Sequence, residues 1–264
     1  MNPTTETPKP PEAKNIPGQS GISGGRRPAY VPDTPWRPLE ATGATIAALL
    51  LSLAIGLPLA LAVAVAADAD VIATTVLGTL LQQGLMIAIV LWLARRRGGT
   101  WSRVLALGPP RGGLWSYAEG GAILIGIVAI MSTAIHTLDP TLIKSDLKQF
   151  AAILNSPWWW AMFPMVGIGA PLWEELAFRG FLFSAIAQSR LGPMGAAIVT
   201  SAIWAAVHPY SVLGVVQVFV IGMVFAAILI RTGSLRVPIV IHAVYNIALT
   251  TVLVSDAGKS VIAP

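Results

Sequence analysis

The chain has 264 residues, of which 55% are hydrophobic and 11% charged, with a mean hydropathy of +0.72. Soluble domains carry about 25% charged residues, so the composition excludes an ordinary soluble globule and points to helices packed in lipid. Cysteine is absent, which excludes disulfides, thiolate metal ligands and a cysteine nucleophile. The net charge of +5 comes mostly from loop arginines, a topology signal rather than a nucleic-acid footprint.

Residues 1–40 are rich in Pro, Gly, Ser and Thr and show no apolar period, which predicts a disordered cytoplasmic tail. An apolar run at 43–67 is long enough to span a bilayer, with Pro58 as a kink, and Asp68 and Asp70 mark its exit. A second span at 71–94 ends at Arg95-Arg96-Arg97 and carries Gln82 and Gln83, read as interhelical hydrogen-bond partners. The Arg-rich linker 98–113 closes an N-terminal unit of residues 41–114. A third span covers 115–137, with Glu119 and His136 near its ends as solvated groups. Residues 138–156 alternate apolar and charged positions at helical spacing, the pattern of a short helix lying on the membrane surface. Trp158-Trp159-Trp160 then heads a fourth span, which runs through Pro164, Gly167, Gly169 and Pro171 into Glu174-Glu175. Further spans follow at 194–210, 212–230 and 236–254, and 255–264 is a short tail. The fold expected is an all-α polytopic transmembrane bundle of about seven spans, or eight if the fourth is split.

Orientation follows from Lys and Arg. One side collects five in the tail, five in 95–111, Arg179, Arg190, Arg231 and Arg236; the other holds Lys144, Lys148 and Lys259. The bias places the N-terminus in the cytoplasm. In a hairpin turning near 190–192, Glu174 and His208 sit at equal depth, about 25 Å from the turn. His242 lies six residues beyond Arg236, which puts the site in the cytoplasmic half.

Charge inside apolar sequence needs a partner or a function. On an α-helix Glu175 and Arg179 are four apart and share a face, so Arg179 is expected to neutralise Glu175 and leave Glu174 facing elsewhere. Trp204 and His208 share a face of the fifth span, and His242 and Asn246 a face of the seventh. A carboxylate beside a histidine can deprotonate water, and a second histidine with an amide can donate to an oxyanion. Glu174, His208 and His242 are equally an inventory for a catalytic Zn2+. No His-Glu-x-x-His or Gly-x-Ser-x-Gly pattern occurs.

Glu174-Glu175-Leu-Ala-Phe178-Arg179, then Trp204 to His208, then His242-Ala-Val-Tyr-Asn246 resemble the three motifs of the CPBP family, which includes CAAX prenyl endoproteases of the Rce1 type and bacteriocin-processing proteins. Trp204 stands where the family usually has Phe. It keeps an aromatic wall and changes its shape. The resemblance covers about 157–254, within a protease core of 115–254. It implies an intramembrane endopeptidase in which Glu174 and His208 activate water and His242 and Asn246 stabilise the oxyanion. Glu175 and Arg179 would brace the site, and Trp204 and Phe178 would wall the substrate pocket. The implied substrate is a membrane-associated or lipidated protein or peptide at the cell's cytoplasmic membrane, with no nucleic-acid partner; a prenylated chain is not required. A glutamate mechanism is preferred over zinc, because a three-ligand metal shell has no use for an arginine-held carboxylate. The competing readings are a non-catalytic scaffold or self-immunity protein of the same fold, and a proton-coupled transporter, against which no inverted repeat is found.

Overall fold

The computed structural model describes residues 30–255. The rest of the expected tails, 1–29 and 256–264, lies outside the described residues. Helices α1 (Pro38–Ala66) and α2 (Val71–Arg95) form a hairpin. Asp70 caps α2 by accepting from the Ala73 N–H at 2.7 Å. Pro58 lies inside α1 without ending it. A Cβ on Gly56 would lie 3.1 Å from the Gln82 nitrogen, so the two backbones meet closely there. Gln82 donates to Ser52 Oγ at 3.4 Å and Gln83 to the Met165 carbonyl at 3.1 Å, both between helices.

Next come the short α3 (Trp101–Val104) and the long α4 (Trp115–Leu138). The surface segment expected at 138–156 is α5 (Leu142–Leu147), a single tight turn at Lys148–Phe150, and α6 (Ala151–Leu154). A continuous helical rod follows: π1 (Phe163–Gly169), α7 (Ala170–Glu174), π2 (Glu175–Leu182) and α8 (Phe183–Ala187). Three helices close the bundle: α9 (Gly192–Ala206), α10 (Val212–Thr232) and α11 (Arg236–Val254). Among the described residues five helices, α1, α2, α4, α10 and α11, are long and apolar enough to cross a membrane, and α9 is shorter. The protein is a polytopic helical bundle.

Every residue from Glu174 to Ala187 is buried, so this segment is the axis of the molecule. In lipid, a helix carrying ionised groups is stable only when ringed by others. The rod is flanked by α1, α2, α9, α10 and α11, whose outer faces expose Leu50, Leu57, Leu61, Val216 and Val244 as a lipid-facing surface should.

The Arg-rich end is closed by backbone pairing. Leu235 N–H donates to the Ala106 carbonyl at 2.9 Å, Arg111 N–H to Thr232 at 2.9 Å, and the Arg236 side chain to Leu107 at 2.7 Å. Leu105 beneath the rod has no exposed surface. Residues 30–37 do not belong to a disordered tail, as their composition suggested. Two aromatics outweigh the prolines: Trp36 packs edge-on to Phe181 and donates to the Leu93 carbonyl at 3.1 Å, and Tyr30 packs edge-on to Phe183. The Tyr30 hydroxyl is 2.8 Å from Ser184 Oγ, which itself reaches the Val104 carbonyl at 2.8 Å. Burial pushes the Tyr30 phenol up to about 12, so it stays a neutral donor. Glu119 pairs with Arg231 at the same end.

Helix α10 meets α9 and the rod at Gly222, where a Cβ would lie 2.7 Å from Arg179 Nη2 and 2.9 Å from Ser201 Oγ. Gly222→Ala overpacks this contact and is expected to cost about 1–3 kcal/mol, read as a lower thermal midpoint in detergent. Gly121→Ala faces open space and should leave the midpoint unchanged or slightly raised, because alanine is the better helix former.

Candidate functional site

The site forms where the rod changes its winding. A π-turn bonds residue i to i+5, so it is wider than an α-turn and brings both i+4 and i+5 back to one face. Arg179 therefore returns close to both glutamates. Its Nη1 lies 3.3 Å from Glu175 Oε1, both side chains having no exposed surface. Its guanidinium stacks on Trp204 at 4.1 Å, a contact that suits a weakly hydrated planar cation. The pairing of Arg179 with Glu175 is the one that helical spacing predicted.

Glu175 has a second partner that spacing did not reveal. His242 Nδ1 lies 3.1 Å from the same Oε1. The carboxylate accepts, so Nδ1 carries the proton and the ring's orientation is fixed from behind. Phe225 stacks on the His242 ring with centroids 4.7 Å apart. Nothing in the sequence marks Phe225, which is one apolar residue among many in α10.

Glu174 faces away from this pair, also as spacing predicted. Its first partner is an indole: Trp204 Nε1–H donates to Glu174 Oε2 at 2.8 Å. His208 stands one turn beyond, with Nδ1 2.7 Å from the Trp204 carbonyl. A carbonyl only accepts, so the Nδ1 proton is spent there and Nε2 is the basic nitrogen. Trp204 thus touches Glu174, His208, His242 and Arg179 at once, its ring 5.0 Å from His208 and 5.7 Å from His242. Asn246 donates one Nδ2 proton to the Val166 carbonyl of π1 at 2.8 Å, a bond that leaves the second amide proton unspent.

Glu174, Trp204, His208, His242 and Asn246 line one cavity of about 360 Å3. Glu175 and Arg179 stand behind it. Phe178 does not reach it; it packs beside Trp173, ring centroids 6.0 Å apart. Two tyrosines missed by motif reading, Tyr210 and Tyr245, complete the polar wall, and Leu147, Phe150, Leu249 and Leu253 supply an apolar one. Their signal was adjacency: Tyr210 follows His208 by two residues and Tyr245 precedes Asn246.

The donors do not fit a zinc shell. Among the described residues no three His, Asp or Glu side chains converge as metal ligands would, so Glu174, His208 and His242 share a cavity without sharing a coordination point.

No curated protein and no solved structure matches the chain. Residues 156–248 match the family described as Type II CAAX prenyl endopeptidase Rce1-like. The matched stretch contains the rod, α9, α10 and the part of α11 that bears His242 and Asn246, and none of α1 to α4. Over that segment the chain is similar to the Rce1-like membrane proteases.

Proposed function

We propose that the protein is an intramembrane endopeptidase that hydrolyses a peptide bond of a membrane-associated or lipidated protein, with water activated by Glu174 and His208. The observation that carries the reading is the single cavity onto which a carboxylate, two imidazoles and an amide converge from the rod, α9 and α11. The ion pair that would otherwise compete for the same groups is kept behind its wall.

Each residue's role follows from the atom it has left. Trp204 occupies Glu174 Oε2, so Oε1 takes the proton as the water oxygen bonds to the carbonyl carbon. His208 Nε2 holds the other side of that water. The carbonyl electrons move onto oxygen, and His242 and Asn246 receive the oxyanion. His242 can donate from Nε2 only when both ring nitrogens carry protons, because Nδ1–H is directed at Glu175. The Glu175 carboxylate accepts that Nδ1–H, and Arg179 Nη1 lies against the same oxygen. Collapse returns the proton from Glu174 to the leaving nitrogen as the C–N bond breaks. No metal is used. The protein is placed in the cell's cytoplasmic membrane, with the arginine-rich loops on the cytoplasmic side.

Two outcomes test this. Glu174→Gln keeps the side chain's shape and removes the base. At equal expression it should abolish the new protein N-termini that wild type generates in the membrane proteome, with purified cleavage falling by about 10²–10⁴-fold and the thermal midpoint unchanged. If the termini are identical in both, and any phenotype persists in the variant, a scaffold or self-immunity protein is the better reading. Treatment with a strong chelator should leave cleavage intact; loss that zinc restores would replace the glutamate mechanism with a metal one.

A further inference from the structure

Taking the rod and α9 as crossing segments beside the five long apolar helices, successive helix ends fall on alternate faces. Hydrogen bonds tie one face together: the 99–113 loop to α10 and α11, and Gln188 to the Thr34 carbonyl at 3.0 Å. This face carries Arg37, Arg95, Arg96, Arg97, Arg103, Arg111, Arg190, Arg231 and Arg236. The opposite face carries Lys144 and Lys148, together with Asp68, Asp70, Asp139 and Asp146. Such an imbalance of basic residues, in loops this short, marks the arginine face as cytoplasmic.

The cavity opens on the other face. It reaches exposed surface at Gln149 and Pro209, between the α5–α6 segment and the loop joining α9 to α10. Asp146 pins these two rims together by accepting from Ser211 N–H at 2.7 Å and Ser211 Oγ at 2.9 Å. Toward the arginine face the floor is solid. Glu175, Arg179, Phe181, Phe225, Leu105 and Leu235 have no exposed surface, and the 99–113 loop and residues 30–37 are packed beneath them. His242 lies six residues into α11, about 9 Å from its arginine end, and the cavity that it lines opens away from that end.

We infer that the site takes its substrate from the extracytoplasmic side of the membrane: an extended polypeptide tethered in or on the outer leaflet, with apolar residues beside the scissile bond to meet Leu147, Phe150, Leu249 and Leu253. This rests on the endopeptidase reading for the word substrate; the direction of access rests on the fold and charge alone. A chain cleaved here is one already exported or anchored, so the reaction that supplies it is membrane translocation or insertion.

The absence of cysteine makes the test clean. Single-cysteine versions of the full chain are made at Ser145 and Gln149 on the mouth side and at Leu114 and Leu191 on the arginine side. A membrane-impermeant maleimide is then applied to right-side-out and to inverted membrane vesicles. Ser145→Cys and Gln149→Cys should react in right-side-out vesicles and be protected in inverted ones, with Leu114→Cys and Leu191→Cys reversed. The opposite pattern, or equal labelling of all four in both preparations, overturns the inference. A separate readout is the location of the Glu174-dependent N-termini. Termini in extracytoplasmic segments support it. Termini in cytoplasmic segments overturn it and leave the endopeptidase standing. No Glu174-dependent termini, with labelling as expected, removes the endopeptidase and with it the substrate named here.

Discussion

An arginine and a glutamate with no contact to solvent hold this molecule in its form. Two ionised side chains inside a lipid-embedded bundle cost several kcal/mol each to desolvate, and their attraction repays that only with good geometry and further hydrogen bonds. The core supplies these in part: Glu175 Oε2 and Arg179 Nε and Nη2 are buried without a hydrogen-bond partner among the described residues. Trp204 offers its face to the guanidinium, His242 offers a proton to the carboxylate, and Gly222 withdraws its side chain so that α10 can lie against Arg179. Removing either partner strands a charge where no water can reach it. The pair is therefore a constraint on α9, α10 and α11 together, and through them on the three helices that carry the reacting groups.

Trp204 converts that constraint into chemistry. It is buried, and it contacts the inner ion pair on one side and the cavity on the other. Its N–H fixes Glu174, its carbonyl fixes His208, and its ring lies between the two histidines. A phenylalanine at this position could fill the space but could not donate to Glu174. In this chain one oxygen of Glu174 is held by an indole, and on the reading proposed above the other is left for the reaction, a division of the carboxylate that a hydrocarbon ring could not impose.

Much of this was legible beforehand. Long apolar runs gave α2, α4, α10 and α11 to within two residues and α1 to within five, because burial of twenty backbone amides in lipid permits little else. The four-residue separations of Glu175 and Arg179, Trp204 and His208, and His242 and Asn246 gave the faces. What was hidden was of two kinds. Contacts across helices, such as Glu175 to His242 or Asn246 to the Val166 carbonyl, depend on rotation and depth that no local pattern encodes. Packing by ordinary-looking residues was the other: Phe225 and Gly222 are indistinguishable from their neighbours in an apolar helix, and Tyr30 and Trp36 sit in a segment whose prolines argued for disorder. Phe178 erred the other way. Its place within the motif suggested a pocket wall, whereas the π-winding turns it toward Trp173.

The brevity of α9 has a bearing on where water comes from. Its 15 residues rise about 22 Å, against a hydrocarbon layer of about 30 Å. Lipids beside a crossing segment that short must shorten their chains or tilt, and the headgroup layer dips to meet the helix end. That end is where His208 and the loop to α10 begin. A dimple in the bilayer at this point would carry the aqueous boundary down to the imidazole. On the endopeptidase reading proposed above, the hydrolytic water would then arrive through a local failure of the membrane to cover the protein, and no hydrated conduit through its interior would be required.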